Sequence, residues 1–134
     1  MSFFDIGKAC VFSQVKGIVT YEGKPAAGAK IVRKAKWQKP ASDEAVADAE
    51  GKFEFPAMYQ RSAVKLIPAE FVVSQELTVI YNDKEYGIWH TTKREPEEDT
   101  ELNGKPLNFQ CELTDEPRFD HSYRASIKTI CTWD

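Results

Sequence analysis

Short runs of alternating apolar and polar residues, separated by turn residues, extend along almost the whole chain of 134 residues. The clearest are residues 77–81 and 85–89, which flank the turn Asn82-Asp83-Lys84 and predict a β-hairpin. Further runs cover residues 15–21, 29–37, 44–49, 53–55 and 107–113, while residues 59–67 and 123–133 are weaker candidates. Seven or eight short strands spaced by turns are typical of a sandwich, so the sequence predicts an all-β, seven- to eight-stranded antiparallel β-sandwich.

Length and composition predict one domain over residues 1–134. Hydrophobic residues make up 42% and charged residues 29%, which suits a globular chain with its own core. Within this domain we distinguish an N-terminal segment, 1–14, and a polar acidic loop, 93–106. Residues 40–43 are expected to form a loop, and residues 68–75 are the one place where a helical turn is expected.

The charge and the N-terminal sequence argue against several functional classes. A net charge of −3 disfavours nonspecific nucleic-acid binding, because phosphate contacts need clustered positive charge. Asp5 and Lys8 interrupt the early apolar residues, so no secretory signal is recognised. No run approaches the roughly 20 apolar residues of a membrane span. The sequence therefore predicts a cytoplasmic protein that binds neither nucleic acid nor a membrane.

The three cysteines leave two interpretations open. Cys10, Cys111 and Cys131 show no CxxC spacing, so they indicate neither a zinc site nor a redox motif. In the first interpretation they are buried thiols that pack as small hydrophobic side chains. In the second, Cys111 pairs with Cys131, since both lie in apolar contexts, and that disulfide needs adjacent strands and an oxidising compartment.

Two turn motifs near the N-terminus resemble a known fold family. Residues 16–29, KGIVTYEGKPAAGA, and residues 48–55, DAEGKFEF, follow the pattern G-x-V, then a GKP-x-x-GA turn, then D-x-x-G-x-F-x-F. This pattern resembles the carboxypeptidase regulatory-like, transthyretin-like sandwich and covers the chain up to about residue 56. The resemblance implies a transthyretin-like or immunoglobulin-like fold and says little about function.

The same residues have physical roles that can be stated without the family. Gly23 allows a backbone conformation that a β-carbon would penalise. Asp48 can cap the turn that contains Gly51, and Phe53 and Phe55 then point to one side, into a core.

Over its whole length, including residues 85–89 (EYGIW) and 130–133 (ICTW), the chain resembles an uncharacterised family of small bacterial proteins. Members of that family are thought to share the sandwich, and some are associated with secreted antibacterial toxins, as in type VI secretion. The resemblance implies an immunity protein, which binds and neutralises a cognate toxin.

A transthyretin-like fold invites one test for catalysis. The 5-hydroxyisourate hydrolases of that fold end in a Tyr-Arg-Gly-Ser tetrapeptide and carry catalytic histidines. This chain has Tyr123-Arg124-Ala125-Ser126, but alanine replaces the glycine, eight residues follow, and no histidine precedes His90. A hydrolase is therefore a remote alternative.

Other catalytic and metal-binding patterns are missing from the sequence. His90 and His121 are the two histidines, and they lack HxH or HExxH spacing. No serine lies in a GxSxG motif, and no glycine-rich loop opens a helix. The sequence predicts no enzyme, no catalytic residue, no metal and no cofactor.

Two charged segments of opposite sign stand out. The basic segment, expected to be a solvated sheet face, contains Lys30, Arg33, Lys34, Lys36 and Lys39. The acidic residues of the 93–106 loop are Glu95, Glu97, Glu98, Asp99 and Glu101. Clustered like charges raise the encounter rate with an oppositely charged surface, by about 10- to 1,000-fold in favourable cases.

These observations lead to one functional hypothesis and one alternative. The first is a non-catalytic protein-binding sandwich, most concretely an immunity protein whose acidic loop docks on a basic toxin surface, with Tyr86 as an aromatic anchor. Trp89 is instead expected in the core. The alternative is a ligand- or carbohydrate-binding accessory module with an exposed aromatic platform formed by Tyr21, Trp37 or Trp133. An open edge strand would also allow a homodimer.

Overall fold

The structure, a computed structural model, describes residues 8–61 and 71–133. Thirteen strands and no helix occur in these two ranges, so the prediction of an all-β sandwich is confirmed. In chain order the strands are β1 (Lys8–Phe12), β2 (Val15–Tyr21), β3 (Lys24–Pro25), β4 (Lys30–Lys36), β5 (Pro40–Val46), β6 (Lys52–Phe55), β7 (Met58–Arg61), β8 (Val73–Tyr81), β9 (Lys84–Lys93), β10 (Leu107–Glu112), β11 (Arg118–Asp120), β12 (Ile127–Thr129) and β13 (Cys131–Thr132).

Two main sheets enclose the core. The six-stranded sheet has the order β11-β12-β9-β8-β4-β5, and the five-stranded sheet has the order β13-β10-β2-β3, with β6 also paired to β2. Strands β1 and β7 form a separate antiparallel ladder. One pair departs from the antiparallel prediction: β10 runs parallel to β2, from Leu107 opposite Val15 to Glu112 opposite Thr20. Parallel neighbours need a long crossover, and the chain between β2 and β10 supplies it.

Alternation along the strands explains which residues form the core. On β8, Val73, Gln75, Leu77 and Val79 are buried, while the residues between them are exposed or half-buried. Each fully buried aliphatic side chain contributes about 1.5–3 kcal/mol relative to an exposed one. Trp89 is also buried, as predicted.

Arg33 is the main departure from the predicted basic face. It occupies an inward position of β4 and is only 1% exposed. Its guanidinium lies over the rings of Phe12 and Phe55, at 5.1 and 4.7 Å from their centroids. It also donates to both carboxylate oxygens of Asp43, at 2.9 and 2.6 Å. Buried charges need such partners, so Arg33 is a core residue and only the lysines of β4 face solvent.

The N-terminal turns have the predicted chemistry. Gly23 and Gly51 both adopt left-handed conformations, with φ of 79°. Asp48 Oδ1 accepts hydrogen bonds from the backbone N–H of Glu50 and of Lys52, at 2.8 and 2.9 Å. Both phenylalanines of β6 are buried. The turn that delivers β6 to the core is therefore the one expected from the sequence.

Several predicted boundaries change. Residues 40–43, expected in a loop, belong to the edge strand β5, and Val73–Gln75, expected to be helical, belong to β8. Residues 8–12 of the predicted N-terminal segment form β1, whose last four residues are buried. The expected strand over residues 59–67 begins as β7. Residues 62–67 of that strand and 68–70 of the helical turn lie outside the described residues.

Of the two interpretations of the cysteines, the structure contains the disulfide. Cys111 and Cys131 lie opposite each other on the antiparallel strands β10 and β13, and their sulfurs are joined at 2.05 Å. Cys10 is a free thiol, and burial raises its pKa to about 11. Disulfides persist mainly in oxidising compartments, and this one argues against the predicted cytoplasmic location. No observation tests the location directly, so it stays a prediction.

Candidate functional site

The acidic loop crosses one end of the sandwich. Residues 94–106 connect β9 of the six-stranded sheet to β10 of the five-stranded sheet. The loop is joined to β1 by a hydrogen bond from Cys10 N–H to the carbonyl of Pro96, at 2.8 Å. Within the loop, Gly104 N–H donates to the carbonyl of Asp99 at 2.7 Å. The segment is therefore a compact, internally bonded loop.

Glu101 lies inside the protein, so its prediction as a partner-binding residue is wrong. It is 6% exposed, and its Oε2 accepts hydrogen bonds from the Ser13 N–H at 3.0 Å and from Gln75 Nε2 at 2.9 Å. Its Oε1 accepts from Ser13 Oγ at 2.6 Å. A buried carboxylate with three donors is satisfied within the fold, so Glu101 anchors the loop instead of meeting a partner.

Lys93, the last residue of β9, holds the loop from its other side. It is buried, and its ammonium donates to the backbone carbonyls of Glu95 and Glu97. Burial lowers the pKa of Lys93, and the negative charge of Glu101 acts in the opposite direction. An internal lysine and an internal glutamate thus fix the loop backbone from two sides.

Asp99 lies between the anchored and the exposed part of the loop. Its backbone N–H donates to Ser13 Oγ at 2.8 Å, and its side chain is half-buried. Burial, followed by the negative charge of Glu101, raises the pKa of Asp99. Asp99 is therefore at the margin of the surface that was predicted to bind a partner.

The other three acidic side chains form an outward surface. Glu97 and Glu98 are exposed, and the half-buried Glu95 makes an ion pair with Arg124 at 3.4 Å. Glu98 accepts a hydrogen bond from the hydroxyl of Tyr59. We call Glu95, Glu97 and Glu98 the acidic surface. Beside it lies a recess of about 190 Å³, lined by Glu98, Asp99, Gln14, Lys16, Pro106 and Asn108.

The structure does not place Tyr86 beside this surface. Tyr86 is near the start of β9 and the loop follows the end of that strand at Lys93, so the two are roughly 20 Å apart at the usual rise per residue. The prediction of Tyr86 as an anchor beside the loop is therefore wrong. Tyr59 of β7, which is 42% exposed and bonded to Glu98, is the aromatic residue next to the acidic surface.

The histidines lie elsewhere. His90 is exposed on β9, where its cross-strand neighbours Glu76 and Lys128 line a shallow groove of about 320 Å³ with it. His121 follows β11, and its ring stacks on Phe119 with 6.2 Å between centroids. Strand β12 separates β9 from β11, and no group of three or more metal-ligating side chains is found among the described residues. That the chain is not an enzyme stays a prediction.

The tetrapeptide compared with the hydrolases has structural contacts. Tyr123 Oη accepts a hydrogen bond from Trp133 Nε1 at 3.2 Å, and Arg124 pairs with Glu95. Ser126 is exposed, and its carbonyl accepts a hydrogen bond from Thr91 Oγ1 at 2.8 Å. The tyrosine and the arginine of this tetrapeptide therefore make contacts within the protein.

The aromatic platform of the alternative hypothesis is incomplete. Tyr21 is half-buried and packs against Tyr81 with ring centroids 5.6 Å apart, and Trp37 packs against Phe71 at 4.9 Å. Trp133 is half-buried at the end of the five-stranded sheet. None of these three rings stands free on the surface, and Trp133 lines a groove that is described below.

Comparison with known proteins gives one match. The family described as a domain of unknown function, DUF6795, matches residues 15–116. The chain belongs to this family. No curated protein and no solved structure matches the chain. The matched residues include the acidic loop and the strands β2 to β10, whereas β1 and β11 to β13, with Cys131, lie outside the match. No helix in the described ranges is long and apolar enough to cross a membrane.

The residues that support the acidic surface were not recognised in the sequence. Ser13, Gln75 and Lys93 are all buried and hydrogen-bonded to the loop. A signal was present for two of them, because Gln75 and Lys93 take inward positions in alternating strands. A polar residue at an inward position indicates a buried polar contact, and its partner becomes known only from the fold.

Proposed function

We propose that this chain is a non-catalytic protein-binding β-sandwich that docks a basic surface of another protein through its acidic surface. The observation that carries the proposal is the fixation of the loop by the buried residues Glu101 and Lys93, which leaves Glu97 and Glu98 exposed. A loop already held in one conformation loses little conformational entropy on binding. The exposed carboxylates attract a positively charged partner and raise its association rate.

Tyr59 supports the same proposal. It is a partly exposed aromatic side chain beside Glu98, and tyrosine is enriched among the residues that contribute most to binding at protein interfaces. The recess has room for a lysine or arginine side chain of the partner, and it is lined by the acceptors of Glu98, Asp99, Gln14 and Asn108 and by one cation, Lys16. Carboxylate and amide oxygens are suitable acceptors for such a cation.

In its most concrete form, the proposal is that the partner is a bacterial toxin and that this chain is its immunity protein. This form rests on the resemblance to small toxin-associated bacterial proteins, whereas the docking surface rests on the loop. The two parts are therefore tested separately.

The docking surface is tested with a charge-neutralised variant, Glu95→Gln/Glu97→Gln/Glu98→Gln. Its matched control, Glu85→Gln/Asp115→Asn/Glu116→Gln, removes the same charge from exposed positions elsewhere. Glu101 is kept in both, because its substitution would release the loop. A partner captured by the wild-type chain is purified, and its affinity for all three proteins is measured by calorimetry at two salt concentrations.

We expect the loop variant to bind at least about tenfold more weakly, mainly through slower association, and the control to bind like the wild type. Equal affinity of loop variant and wild type would refute the docking surface. For the toxin form, the captured partner should arrest growth when expressed alone, and co-expression of this chain should restore growth. A harmless partner would refute that form and leave the docking surface intact.

A further inference from the structure

A groove runs across the outer face of the five-stranded sheet and shares Lys16 and Asn108 with the recess beside the acidic surface. It has a volume of about 360 Å³, within the range of small-molecule sites. One wall is a row of cross-strand neighbours on β13, β10, β2 and β6: Thr132, Gln110, Ile18 and Lys52. The other wall is the adjacent row, Asn108, Lys16 and Glu54. Because these residues are set by strand register, the walls are held by the sheet itself.

The walls present hydrogen-bonding groups that the protein does not use. Within the described chain, the side chains of Lys16, Glu54, Asn108 and Gln110 make no hydrogen bond or ion pair with another protein group. Asn108 and Gln110 each offer both donors and an acceptor. The groove can therefore recognise a ligand that carries several donors and acceptors of its own.

The charges in the groove nearly balance. Lys16 and Glu54 are opposite each other on β2 and β6, and the ammonium of Lys52 lies 3.8 Å from Glu50. A ligand with a strong net charge would meet an opposing charge on one of the walls. A neutral polar ligand fits this arrangement best.

The floor of the groove offers little main chain for pairing. It is formed by backbone at Phe109, Gly17 and Phe53, and the central strand β2 is paired with β10 on one side and with β6 on the other. The amide and carbonyl groups of β2 are taken up by these ladders, so an extended peptide gains no main-chain hydrogen bonds from β2. The side chains of the walls therefore carry recognition along the centre of the groove, and at one end Trp133 adds an apolar surface for contact with C–H groups.

We propose that this groove binds a neutral oligosaccharide, whose hydroxyl groups pair with Asn108, Gln110 and Glu54 and whose ring packs near Trp133. The proposal does not rest on the acidic surface, because it concerns the outer face of the five-stranded sheet and a different class of ligand. The two sites adjoin, since Lys16 and Asn108 line both the groove and the recess beside Glu98.

The test is a set of NMR titrations of the full chain with maltotriose, cellotriose and chitotriose, each to about 10 mM, the weak end of specific binding. An uncharged eight-residue peptide of glycine, serine and asparagine serves as the competing class. The variant Asn108→Ala/Gln110→Ala removes two exposed amides of the walls. Gln14→Ala, an exposed amide outside the groove, is the matched control.

We expect at least one trisaccharide to give saturable shifts on β13, β10, β2, β6 and the Trp133 indole. The double variant should weaken that binding by about tenfold or more, and Gln14→Ala and the charge-neutralised loop variant should leave it unchanged. The proposal is overturned if no trisaccharide gives saturable shifts, if the shifts lie elsewhere, if the double variant binds equally well, or if the peptide alone binds.

Discussion

Ser13 and Glu101, which are 88 residues apart in the chain, are joined by two hydrogen bonds inside the protein, from the Ser13 backbone N–H at 3.0 Å and from its hydroxyl at 2.6 Å. This contact links the junction of β1 and β2 to the acidic loop. The conformation of the acidic surface therefore depends on Ser13, which is completely buried.

Substitution Glu101→Gln should destabilise the protein by about 1–3 kcal/mol, because a buried donor loses its charged acceptor. Glu97→Gln, on the exposed part of the loop, should change stability by less than about 0.5 kcal/mol. Urea denaturation measures both values, and hydrogen exchange of the Ser13 and Asp99 amides should accelerate in Glu101→Gln alone. Equal stability of the two variants would contradict the anchoring role.

Glu112 should make the free energy of unfolding depend on pH in the acidic range. Its carboxylate is partly desolvated, which raises its pKa, but hydrogen bonds from Thr114, Gly23 and Thr20 outweigh this and lower the pKa to about 2 from 4.5. A depressed pKa contributes stability above pH 4.5 that is lost as the pH falls from 4.5 towards 2.

Glu112→Gln should therefore be less stable than the wild type at neutral pH, by about 1–2 kcal/mol for this partly exposed group, and the difference should close as the pH approaches 2. Denaturation curves across this range measure it. A difference independent of pH, or one shared by the control Glu85→Gln, would show that the hydrogen bonds of Glu112 do not stabilise the charged form.

Substitution of two strand glycines by alanine should change the free energy of unfolding in opposite directions. At Gly17 a β-carbon would lie 2.5 Å from Cζ of the buried Phe53 ring, so Gly17→Ala should cost about 1–3 kcal/mol. At Gly87 no atom lies within 4 Å and the backbone is not left-handed, so Gly87→Ala should gain about 0.4–1 kcal/mol by restricting the unfolded chain. Urea midpoints give the order, and a loss at Gly87 as large as at Gly17 would contradict this packing.

Loss of the disulfide should be costly. Cys111 and Cys131 are 20 residues apart, and closing a loop of that size stabilises a protein by about 2–4 kcal/mol. Cys111→Ala/Cys131→Ala should be destabilised by this amount, and a reductant should bring the wild type to nearly the same stability. A wild type that is insensitive to reductant would indicate that the disulfide is not formed in solution.

The sequence was informative where one strand or one turn determines the outcome. Asp48 and Gly51 defined their turn, and alternation placed Leu77 and Val79 in the core, since these signals are local. The edge strand β5 was missed at its start because neither of its faces is deeply buried, which leaves no contrast to detect. Tyr86 was misplaced because the length of β9, and hence its distance from the loop, cannot be judged from composition.

The burial of Arg33 and Glu101 shows a second limit. Both belong to charged runs that are typical of solvated surfaces, and both have partners distant in sequence or on a neighbouring strand. A charged residue is buried only where its partners satisfy it, so the three-dimensional fold has to be known first. The sequence therefore located the acidic loop, and the structure removes the buried Glu101 from its exposed residues.

The parallel ladder between β2 and β10 also determines the order in which the molecule can assemble. Val15 meets Leu107 at the start of this ladder, so the most central pairing of the five-stranded sheet joins chain segments made far apart in time during synthesis. Until Leu107–Glu112 has been made, one edge of β2 has no neighbour, whereas the hairpin of β8 and β9 can close by itself. Such nonlocal pairing slows folding. Until it forms, the unpaired edge of β2 in the nascent chain is open to pairing with other proteins.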